Sequence, residues 1–251
     1  MNSQQPPGTR SLAGNVAVVT GATSGIGRAI ALALSQQGVQ VYAIGRDPKR
    51  LAETVEAARE FSPITGVQID LATDGSSFSI VRQLQDKTKG LDILIHSAGL
   101  IHQDPMQHAS VEDLDAQYAI NVRAPYILTK SLLPFIKSNQ GQIVFVNSSA
   151  GLSAKRPEVG QYAATKHALK AIADSLREEV NPSGIRVLSI YLGRTATPMQ
   201  EALYRKEGKD YHPGSLIQPQ DVACAVVQAL MLPVTVEVTD VSMRPMLKTY
   251  A

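Results

Sequence analysis

Short apolar runs, rich in β-branched residues, alternate with longer amphipathic stretches along almost all of this 251-residue chain. The seven runs are VAVVT (16–20), VQVYAI (39–44), ITGVQID (64–70), LDILIH (91–96), GQIVFVN (141–147), GIRVLSI (184–190) and VTVEV (234–238). The stretches between them repeat apolar residues at intervals of three and four, which predicts amphipathic helices. Apolar strands separated by helices form parallel sheets that are covered on both faces. We therefore predict an α/β fold, a single doubly wound Rossmann domain with a seven-stranded parallel sheet.

The composition is that of an ordinary globular domain. The chain is 44% hydrophobic and 18% charged, and its 24 basic and 22 acidic side chains nearly balance. A chain of this length buries roughly 70–75% of its unfolded surface, so neither a disulfide nor a metal is needed for stability. Without a basic excess there is no reason to expect a nucleic-acid partner.

Cysteine usage and the first residues bear on the compartment. The single cysteine, Cys224, lies in the apolar run VACAVVQAL and is predicted to be buried in a helix. One cysteine excludes a disulfide framework and a cysteine-based zinc site, which fits a reducing compartment. The start, MNSQQPPGTRSLAG, lacks the apolar core of a signal peptide, and no run of about 18 apolar residues follows. We expect a cytoplasmic protein without membrane contact, with a disordered leader (1–12) before one domain (13–251).

A glycine-rich turn, TGATSGIG (20–27), follows the first predicted strand. Glycines at a strand-to-helix turn let the backbone approach a pyrophosphate, whose charge is stabilised by free N–H groups at the helix N-terminus. No Gly-Lys-Ser/Thr follows, which excludes a P-loop for nucleoside triphosphates. The turn therefore predicts a phosphate-binding site. The residues that we assign to this site are Gly21, Thr23, Ser24, Gly25, Ile26 and Gly27.

The spacing Tyr-x-x-x-Lys occurs twice, in QYAATK (161–166) and in PYILTK (125–130). Residues four apart share one face of a helix, so in either copy the lysine lies close to the tyrosine. A nearby cation lowers a phenol pKa from about 10 by one to three units. Either pair could therefore supply a tuned proton donor, and the spacing alone does not choose between them.

A serine distinguishes the two copies. A predicted strand delivers Ser149 thirteen residues before Tyr162, whereas the corresponding position before Tyr126 lies in a predicted helix. Ser148 is expected to point to the other side of the strand, because strand side chains alternate. We therefore select Tyr162 and interpret Tyr126 with Lys130 as a surface and core pair of a helix.

Together, the motifs resemble those of the short-chain dehydrogenase/reductase family over about residues 12 to 240. The resemblance implies an oxidoreductase that interconverts a carbonyl and an alcohol by hydride transfer with a nicotinamide cofactor. It implies that Ser149 holds the substrate oxygen and that Tyr162 exchanges a proton with it. Lys166 would lower the tyrosine pKa and bind the nicotinamide ribose, and Asn121 would hold a water that links the lysine to solvent.

The end of the second strand, VYAIGRDPKRL, bears on the choice of cofactor. Gly45 stands where NAD-type members of the family carry an aspartate. Arg46 follows it, which resembles NADP-type members that pair an arginine with the 2′-phosphate. Asp47 leaves an alternative open, because it could be the acidic selector of NAD or the N-cap of the next helix. NADP is the expected cofactor and NAD the alternative.

The same resemblance assigns further cofactor contacts. HSAG (96–99) stands where the family usually has Asn-Asn-Ala-Gly, and we interpret His96 as structural. In YLGRTATPM, Leu192 replaces the usual proline, and a substrate lid is expected over about 193–215. The residues assigned to the cofactor in these segments and after the third strand are Asp70, Leu71, Ser97, Ala98, Gly99, Thr195 and Thr197.

We therefore expect an NADP(H)-dependent enzyme without a metal that acts on a small-molecule carbonyl or alcohol. The helices around 111–138 and 159–180 could pair across a two-fold axis, giving a homodimer or homotetramer. Two alternatives are an NAD-dependent alcohol dehydrogenase of the same family and a catalytically silent nucleotide-sensing protein. Silent members typically lose the tyrosine or the lysine, and this chain keeps both. A sugar epimerase would usually carry G-x-x-G-x-x-G, which this chain lacks.

Overall fold

Within residues 9–73, 75–85 and 90–247, which the computed structural model describes, seven strands form one parallel sheet, as predicted. The strands are β1 (Val16–Thr20), β2 (Gln40–Gly45), β3 (Ile64–Gln68), β4 (Ile93–His96), β5 (Gln142–Ser148), β6 (Arg186–Leu192) and β7 (Asp240–Met243). Their order is β3-β2-β1-β4-β5-β6-β7, and each neighbouring pair runs parallel. The winding reverses between β1 and β4, so a crevice opens there beyond the carboxyl ends of the strands.

Helices cover both faces of the sheet. They are α1 (Gly25–Gln36), α2 (Pro48–Glu56), α3 (Ser76–Gln85), α4 (Val111–Tyr118), α5 (Ala124–Asn139), α6 (Gly160–Val180), α7 (Pro198–Lys206) and α8 (Pro219–Leu230). Val18 packs with residues of α3, α5 and α6, whereas Ala17 and Val19 pack with residues of α1, α2 and α8. This alternation divides the core into two layers, in which each fully buried Val or Leu contributes about 1.5–3 kcal/mol.

The seventh strand lies beyond the predicted run VTVEV (234–238), so that prediction is wrong. The start of this run instead forms a turn shortly after α8, in which the N–H of Val236 donates to the carbonyl of Pro233 at 3.0 Å. The guanidinium of Arg186 donates to the carbonyls of Val236 at 2.8 Å and Pro233 at 3.2 Å. These carbonyls are thus satisfied outside the sheet, and Val234 is 74% exposed. β-Branched composition favours a strand, but pairing with β6 selects the segment that becomes one.

Cys224 is exposed, which corrects the prediction that it is buried. Helix α8 packs on α1 through a face that contains Val222, Ala223, Val226 and Val227. Successive helical residues are about 100° apart, so position 224 falls away from this face. Neither α8 nor any other helix in the described ranges is long and apolar enough to cross a membrane.

Part of the predicted leader (1–12) is packed against the domain. Leu12 is 2% exposed and belongs to the core. The backbone N–H of Arg10 donates to the carbonyl of Met231 at 2.7 Å, just after α8 ends. Residues 9–12 therefore extend the domain, and residues 1–8 of the predicted leader lie outside the described residues.

Candidate active site

Two adjoining clefts open at the carboxyl edge of the sheet. The first, of about 570 Å³, is lined by the segments that follow β1, β2, β3 and β4. The second, of about 200 Å³, lies between the ends of β5 and β6, the start of α6 and helix α7. The residues that border both clefts are Ile26, Ser97, Gly99, Leu100, Thr197 and Met199. A ligand could therefore extend from the first cleft into the second.

The two clefts bring together all the residues that we predicted to bind the cofactor. Those in the first cleft are Gly21, Thr23, Ser24, Gly25, Ile26, Gly27, Arg46, Asp70, Leu71, Ser97, Ala98, Gly99 and Thr197. Tyr162, Lys166 and Thr195 line the second cleft. The sequence assignments thus fall on one continuous surface.

The turn between β1 and α1 is pressed against the loop that follows β4. Gly21 has a φ of 68°, and a Cβ atom there would lie 2.8 Å from backbone atoms of Ala98. A side chain at Gly27 would collide with the carbonyl oxygen of Gly21. Ser24, the N-cap of α1, makes no side-chain capping hydrogen bond. A close backbone turn and a helix N-terminus without a side-chain cap fit a pyrophosphate group.

The hydroxyl of Thr20 ties β1 to the same loop. It accepts hydrogen bonds from the N–H groups of Ser97 at 3.0 Å and Ala98 at 3.1 Å, and it donates to the carbonyl of Ile95 at 3.3 Å. We did not predict this role, and its signal in the sequence is a threonine at the last position of a strand before the glycine turn. The Thr20 side chain thus holds, through backbone groups of the loop, the segment in which the sequence departs from the family pattern.

His96 is a buried member of the sheet. Its Nε2 lies 2.8 Å from the hydroxyl of Thr129, and its ring stacks on Phe145 with 4.9 Å between centroids. Burial lowers the pKa of His96 to about 3, so its imidazole is neutral at pH 7. The residue lines neither cleft, in agreement with its interpretation as structural.

The end of β2 presents two arginines to the first cleft, although we predicted only one. Arg46 and Arg50 both line the cleft. The carboxylate of Asp47 accepts hydrogen bonds from the N–H groups of Lys49 at 3.0 Å and Arg50 at 3.1 Å. Asp47 is therefore the N-cap of α2, which was one of its two interpretations.

Asp70 both shapes a turn and lines the first cleft. Its Oδ1 accepts a hydrogen bond from the N–H of Ala72 at 3.0 Å, and its carbonyl accepts one from the hydroxyl of Thr73 at 2.8 Å. These bonds fix the direction of the chain after β3. As a result, Asp70 and Leu71 lie on the wall of the first cleft.

Tyr162 and Lys166 lie one turn apart on α6, at the second cleft. The Nζ atom of Lys166 is 5.8 Å from the centroid of the Tyr162 ring and donates to the carbonyl of Val146 at 3.2 Å. The side-chain amide of Asn147 donates to the backbone carbonyl of Lys166 at 3.1 Å. Helix α6 is therefore fastened to the end of β5, next to Ser148.

The hydroxyl of Ser148 lies near the phenol of Tyr162 and acts to lower the pKa of that phenol, which corrects our prediction that Ser148 points to the other side of the strand. Ser148 is the last residue of β5 and is extended, with a φ of −132°. Ser149 lines the second cleft, but it begins the 3₁₀ turn Ser149–Gly151 and its side chain is exposed. Strand alternation cannot be carried across this boundary, because the backbone ceases to be extended after Ser148.

Burial is the largest cause of the pKa shifts of Tyr162 and Lys166. It raises the pKa of Tyr162 to about 12, while the Ser148 hydroxyl acts in the opposite direction. Burial also lowers the pKa of Lys166 to about 8. We expected Lys166 to move the pKa of Tyr162 toward neutrality, and instead the pKa lies above that of a free phenol. The phenol is therefore protonated at pH 7.

Asn121 is buried next to the site and contacts the segments that form it. It lies in a π-helical turn, Ala119–Arg123, which joins α4 to α5. Such turns are frequent at functional sites. The Asn121 carboxamide accepts from the N–H of Leu100 at 2.8 Å and donates to the carbonyl of Leu100 at 2.8 Å and to the hydroxyl of Thr165 at 3.0 Å. It lines neither cleft and joins the loop after β4 to α6, next to Lys166.

The second Tyr-x-x-x-Lys copy is not part of a cleft. Tyr126 and Lys130 lie on α5, where both side chains are exposed and line neither cleft. Both residues therefore lie on the surface, whereas we expected one of the pair to lie in the core. The interpretation of this copy as an ordinary helix pair agrees with its position.

The segment after β6 is held by hydrogen bonds to β7 and by a helix cap. The N–H of Gly193 donates to the carbonyl of Met243 at 2.8 Å, and the hydroxyl of Thr195 donates to the carbonyl of Gly193 at 3.2 Å. Thr197 is the N-cap of α7, and its hydroxyl accepts from the N–H of Gln200 at 3.2 Å. These contacts place the two predicted threonines on the clefts.

Ion pairs hold the carboxyl-terminal end of α7 across the second cleft. Glu207 lies 2.7 Å from Arg194 and 3.3 Å from Arg156. Lys206 lies 2.8 Å from Asp104, in the loop that follows β4. Arg156, Arg194 and Glu207 also line the second cleft; Arg194 and Glu207 lie in the segment expected to be a substrate lid, but none of the three was assigned to the site individually. These three residues are separated in the sequence, and only the folded structure brings their charges to the same cleft.

The sequence matches a known family over most of its length. The short chain dehydrogenase family model matches residues 15–208. An uncharacterized short-chain type dehydrogenase/reductase of Sinorhizobium fredii is 37% identical to this chain over 237 residues. The aligned region covers 92% of this chain and 91% of that protein.

Solved structures share the fold. L-sorbose reductase from Gluconobacter frateurii, complexed with NADPH and L-sorbose, is similar with a TM-score of 0.85 and 27% identity, over 96% of this chain and 99% of that chain. The closed form of serine dehydrogenase complexed with NADP+ is similar with a TM-score of 0.84 and 27% identity, over 94% and 97% of the two chains.

Proposed function

This chain belongs to the short-chain dehydrogenase/reductase family of oxidoreductases, and on that premise we propose that it interconverts a small carbonyl compound and its alcohol with NADP(H). The observation that carries the proposal is the pair of hydroxyls, Ser148 and Tyr162, on one cleft beside the buried Lys166. The pair lines a small cleft that adjoins a larger one suited to a dinucleotide. Carbonyl reduction needs a hydroxyl to hold the substrate oxygen, a second hydroxyl to give it a proton and a cation beside that acid, all next to the cofactor.

Charges at the end of β2 support NADP over NAD. Arg46 and Arg50 are exposed on the first cleft, and guanidinium groups bind phosphate through paired hydrogen bonds. The carboxylate of Asp47 also lines this cleft, but it caps α2 and lies 3.5 Å from Nε of Arg50, which offsets its negative charge. An acidic side chain at Gly45 would collide with the Cγ2 atom of Thr23. The NADP complexes of two similar proteins point in the same direction.

The turn between β1 and α1 would hold the pyrophosphate. Gly21 and Gly27 leave no room for side chains, and the α1 N-terminus has no side-chain cap. Thr197 lines the same cleft and adjoins this turn, since its Cγ2 atom would lie 3.0 Å from a Cβ atom at Gly25. NADPH, when bound, supplies the hydride that reduces the substrate carbonyl carbon.

The residues of this chain supply the proton and the orientation. The Ser148 hydroxyl donates a hydrogen bond to the carbonyl oxygen, and Tyr162 gives its proton to that oxygen as the alcohol forms. Lys166 stabilises the negative charge that this transfer leaves on the phenol oxygen. Asn121 keeps α6 against the loop after β4, so the lysine stays beside the tyrosine.

The pKa values leave the proposed acid and its cation in the protonation states that carbonyl reduction needs at neutral pH. A pKa of about 12 leaves the Tyr162 phenol protonated and ready to act as an acid. Lys166, with a pKa of about 8, is mostly charged at pH 7. The second cleft, of about 200 Å³, limits the substrate to a small molecule.

Cofactor preference is tested by fluorescence titration with NADPH and NADH in parallel. We expect wild type to bind NADPH at least tenfold more tightly, which corresponds to about 1.4 kcal/mol. The difference should shrink in Arg46→Ala and in Arg50→Ala and persist in Lys49→Ala, because Lys49 lies beside them but does not line the cleft. Equal or tighter binding of NADH would overturn the NADP assignment and favour the NAD-dependent alternative.

Catalysis is tested by NADPH consumption with a panel of small ketones, aldehydes, 3-oxo acids and ketoses. Tyr162→Phe should lower kcat by about 10²–10⁴-fold, the contribution of a positioned acid. Tyr126→Phe is the matched control, because it removes the hydroxyl of the second Tyr-x-x-x-Lys copy and should retain wild-type activity. Tight NADPH binding without turnover of any substrate in the panel would instead indicate a nucleotide-sensing protein.

A further inference from the structure

Two buried carboxamides connect the loop after β4 to helix α6 in the same manner. Asn121 makes one of these connections, between Leu100 and Thr165. The other is made one turn earlier by Gln117, which is 0% exposed. Its Oε1 accepts from the N–H of His102 at 3.0 Å, and its Nε2 donates to the carboxamide oxygen of Gln161 at 3.2 Å. The two carboxamides thus form parallel bridges between the same two elements.

The bridges reach α6 next to the proposed acid and its cation. The bridge from Gln117 ends on Gln161, which precedes Tyr162, and the bridge from Asn121 ends on Thr165, which precedes Lys166. The Nε2 of Gln161 also donates to the carbonyl of Ser110, the N-cap of α4, at 2.7 Å. The orientation of the first turn of α6 is therefore linked to two other segments.

At the N-terminus of α6 one backbone hydrogen bond also reaches the loop after β4, from the N–H of Asp104 to the carbonyl of Glu158 at 3.2 Å. Val159, the N-cap of α6, makes no side-chain capping hydrogen bond. The amide nitrogen of Gln117 also donates to the carbonyl of Asp113 at 3.2 Å, so both ends of the carboxamide are paired. A buried polar group left unpaired is destabilising, so a fully paired carboxamide allows few alternative arrangements.

We propose that Gln117 is a positioning residue, which holds the first turn of α6 so that the phenol of Tyr162 stays beside Ser148 in the second cleft. The inference rests on the proposed function and adds to it a residue that lines neither cleft. A displacement of about 1 Å at a reacting group can lower a rate by about 10²-fold. Loss of the bridge should therefore affect catalysis more than cofactor binding.

The test compares Gln117→Met with Gln142→Met. Gln142 is 5% exposed, and its Nε2 donates to the carbonyl of Leu230 at 3.1 Å, at the amino edge of the sheet. Both substitutions remove a buried carboxamide, so both should lower Tm. Only Gln117→Met should shift the ¹³C NMR signal of the Tyr162 ζ-carbon at pH 7. The protein is labelled on tyrosine, and the Tyr162 signal is identified as the one that is missing from Tyr162→Phe.

Kinetics give a second readout, with NADPH and 2,3-butanedione as the probe ketone. We expect kcat of Gln117→Met to fall at least tenfold, while the Kd for NADPH stays within twofold of wild type. Gln142→Met should keep kcat within twofold. If Gln117→Met does not fold, Gln161→Met removes the other end of the bridge and should show the same signal change and the same loss of kcat.

An unmoved Tyr162 signal in both bridge variants, with kcat within twofold of wild type, would overturn the proposal. In that case Gln117 acts on stability alone. Failure of the wild type to consume NADPH with any carbonyl compound would count against the proposed function instead. The NMR comparison needs no substrate, so it still decides whether Gln117 positions Tyr162.

Discussion

The hydroxyl of Ser148 lies near the phenol of Tyr162 and acts to lower its pKa, while the next residue, Ser149, is exposed to solvent. Both serines border the second cleft, so the difference between them is one of side-chain direction. Ser148 ends an extended strand and Ser149 begins a 3₁₀ turn. The two neighbours should therefore differ in their importance for the reaction.

Replacing each serine by alanine should separate them. Ser148→Ala removes a group proposed to hold the substrate oxygen, so kcat should fall by about 10²–10³-fold, as when an oxyanion donor is lost. Ser149→Ala should keep kcat within a few-fold of wild type. Both are measured as NADPH consumption with a common ketone, and the reverse order of effects would return the role to Ser149.

Lys166 should set the alkaline limit of carbonyl reduction. Tyr162 loses its proton only as the pH rises through about 12, whereas Lys166 loses its charge as the pH rises through about 8. The kcat for reduction should therefore be constant below pH 8 and fall above it. Lys166→Arg keeps the charge and should move the fall to higher pH. A fall at the same pH in this variant would show that another group is responsible.

The same lysine should lower the stability of the folded protein. Its pKa is lowered from 10.5 to about 8, so below pH 8 the folded state carries a buried charge. Between these values the unfolded chain binds more protons, so stability rises with pH. Lys166→Met should raise the free energy of unfolding at pH 7 by about 1–3 kcal/mol and abolish activity. The gain should shrink from pH 8 to 10.5 in urea unfolding, and a constant gain would contradict this explanation.

His96 should make the protein sensitive to acid. Burial lowers its pKa from 6.5 to about 3, so between these values the unfolded state takes up a proton that the folded state does not. Stability should fall by about 1.4 kcal/mol per pH unit below about pH 6.5. His96→Leu should remove this part of the slope in urea unfolding. Equal slopes for wild type and variant would assign the acid sensitivity to other groups.

Gly21 should tolerate no side chain. Its φ of 68° opposes alanine, and so does the distance of only 2.8 Å that would separate a Cβ atom from the backbone of Ala98. Gly21→Ala should lower the free energy of unfolding by about 1–3 kcal/mol, because the backbone is strained and the loop after β4 must shift. NADPH binding should weaken as well. Gly208→Ala is the control, since Gly208 has a φ of 65° but nothing within 4 Å of a Cβ, so it should lose stability without losing cofactor affinity.

The framework of the site could be predicted because its signals are local. The glycine turn follows β1 directly, and Tyr162 with Lys166 share a helix face because they are four residues apart. Arg50 was missed because its approach to the first cleft depends on where α2 begins, which Asp47 sets as the N-cap. The role of Thr20 was missed because its partners lie more than seventy residues away.

Local patterns in the chain were enough to predict the fold class, six of the strand positions, the phosphate turn and the tyrosine–lysine pair, because hydrophobic period and glycine sterics act over a few residues. Long-range packing selects which of two adjacent serines meets Tyr162, which segment becomes β7 and which face of α8 is covered. It also sets the protonation of the site, since the pKa values of Tyr162 and Lys166 follow from burial. These outcomes depend on contacts between distant segments, and burial and strand pairing are properties of the assembled core.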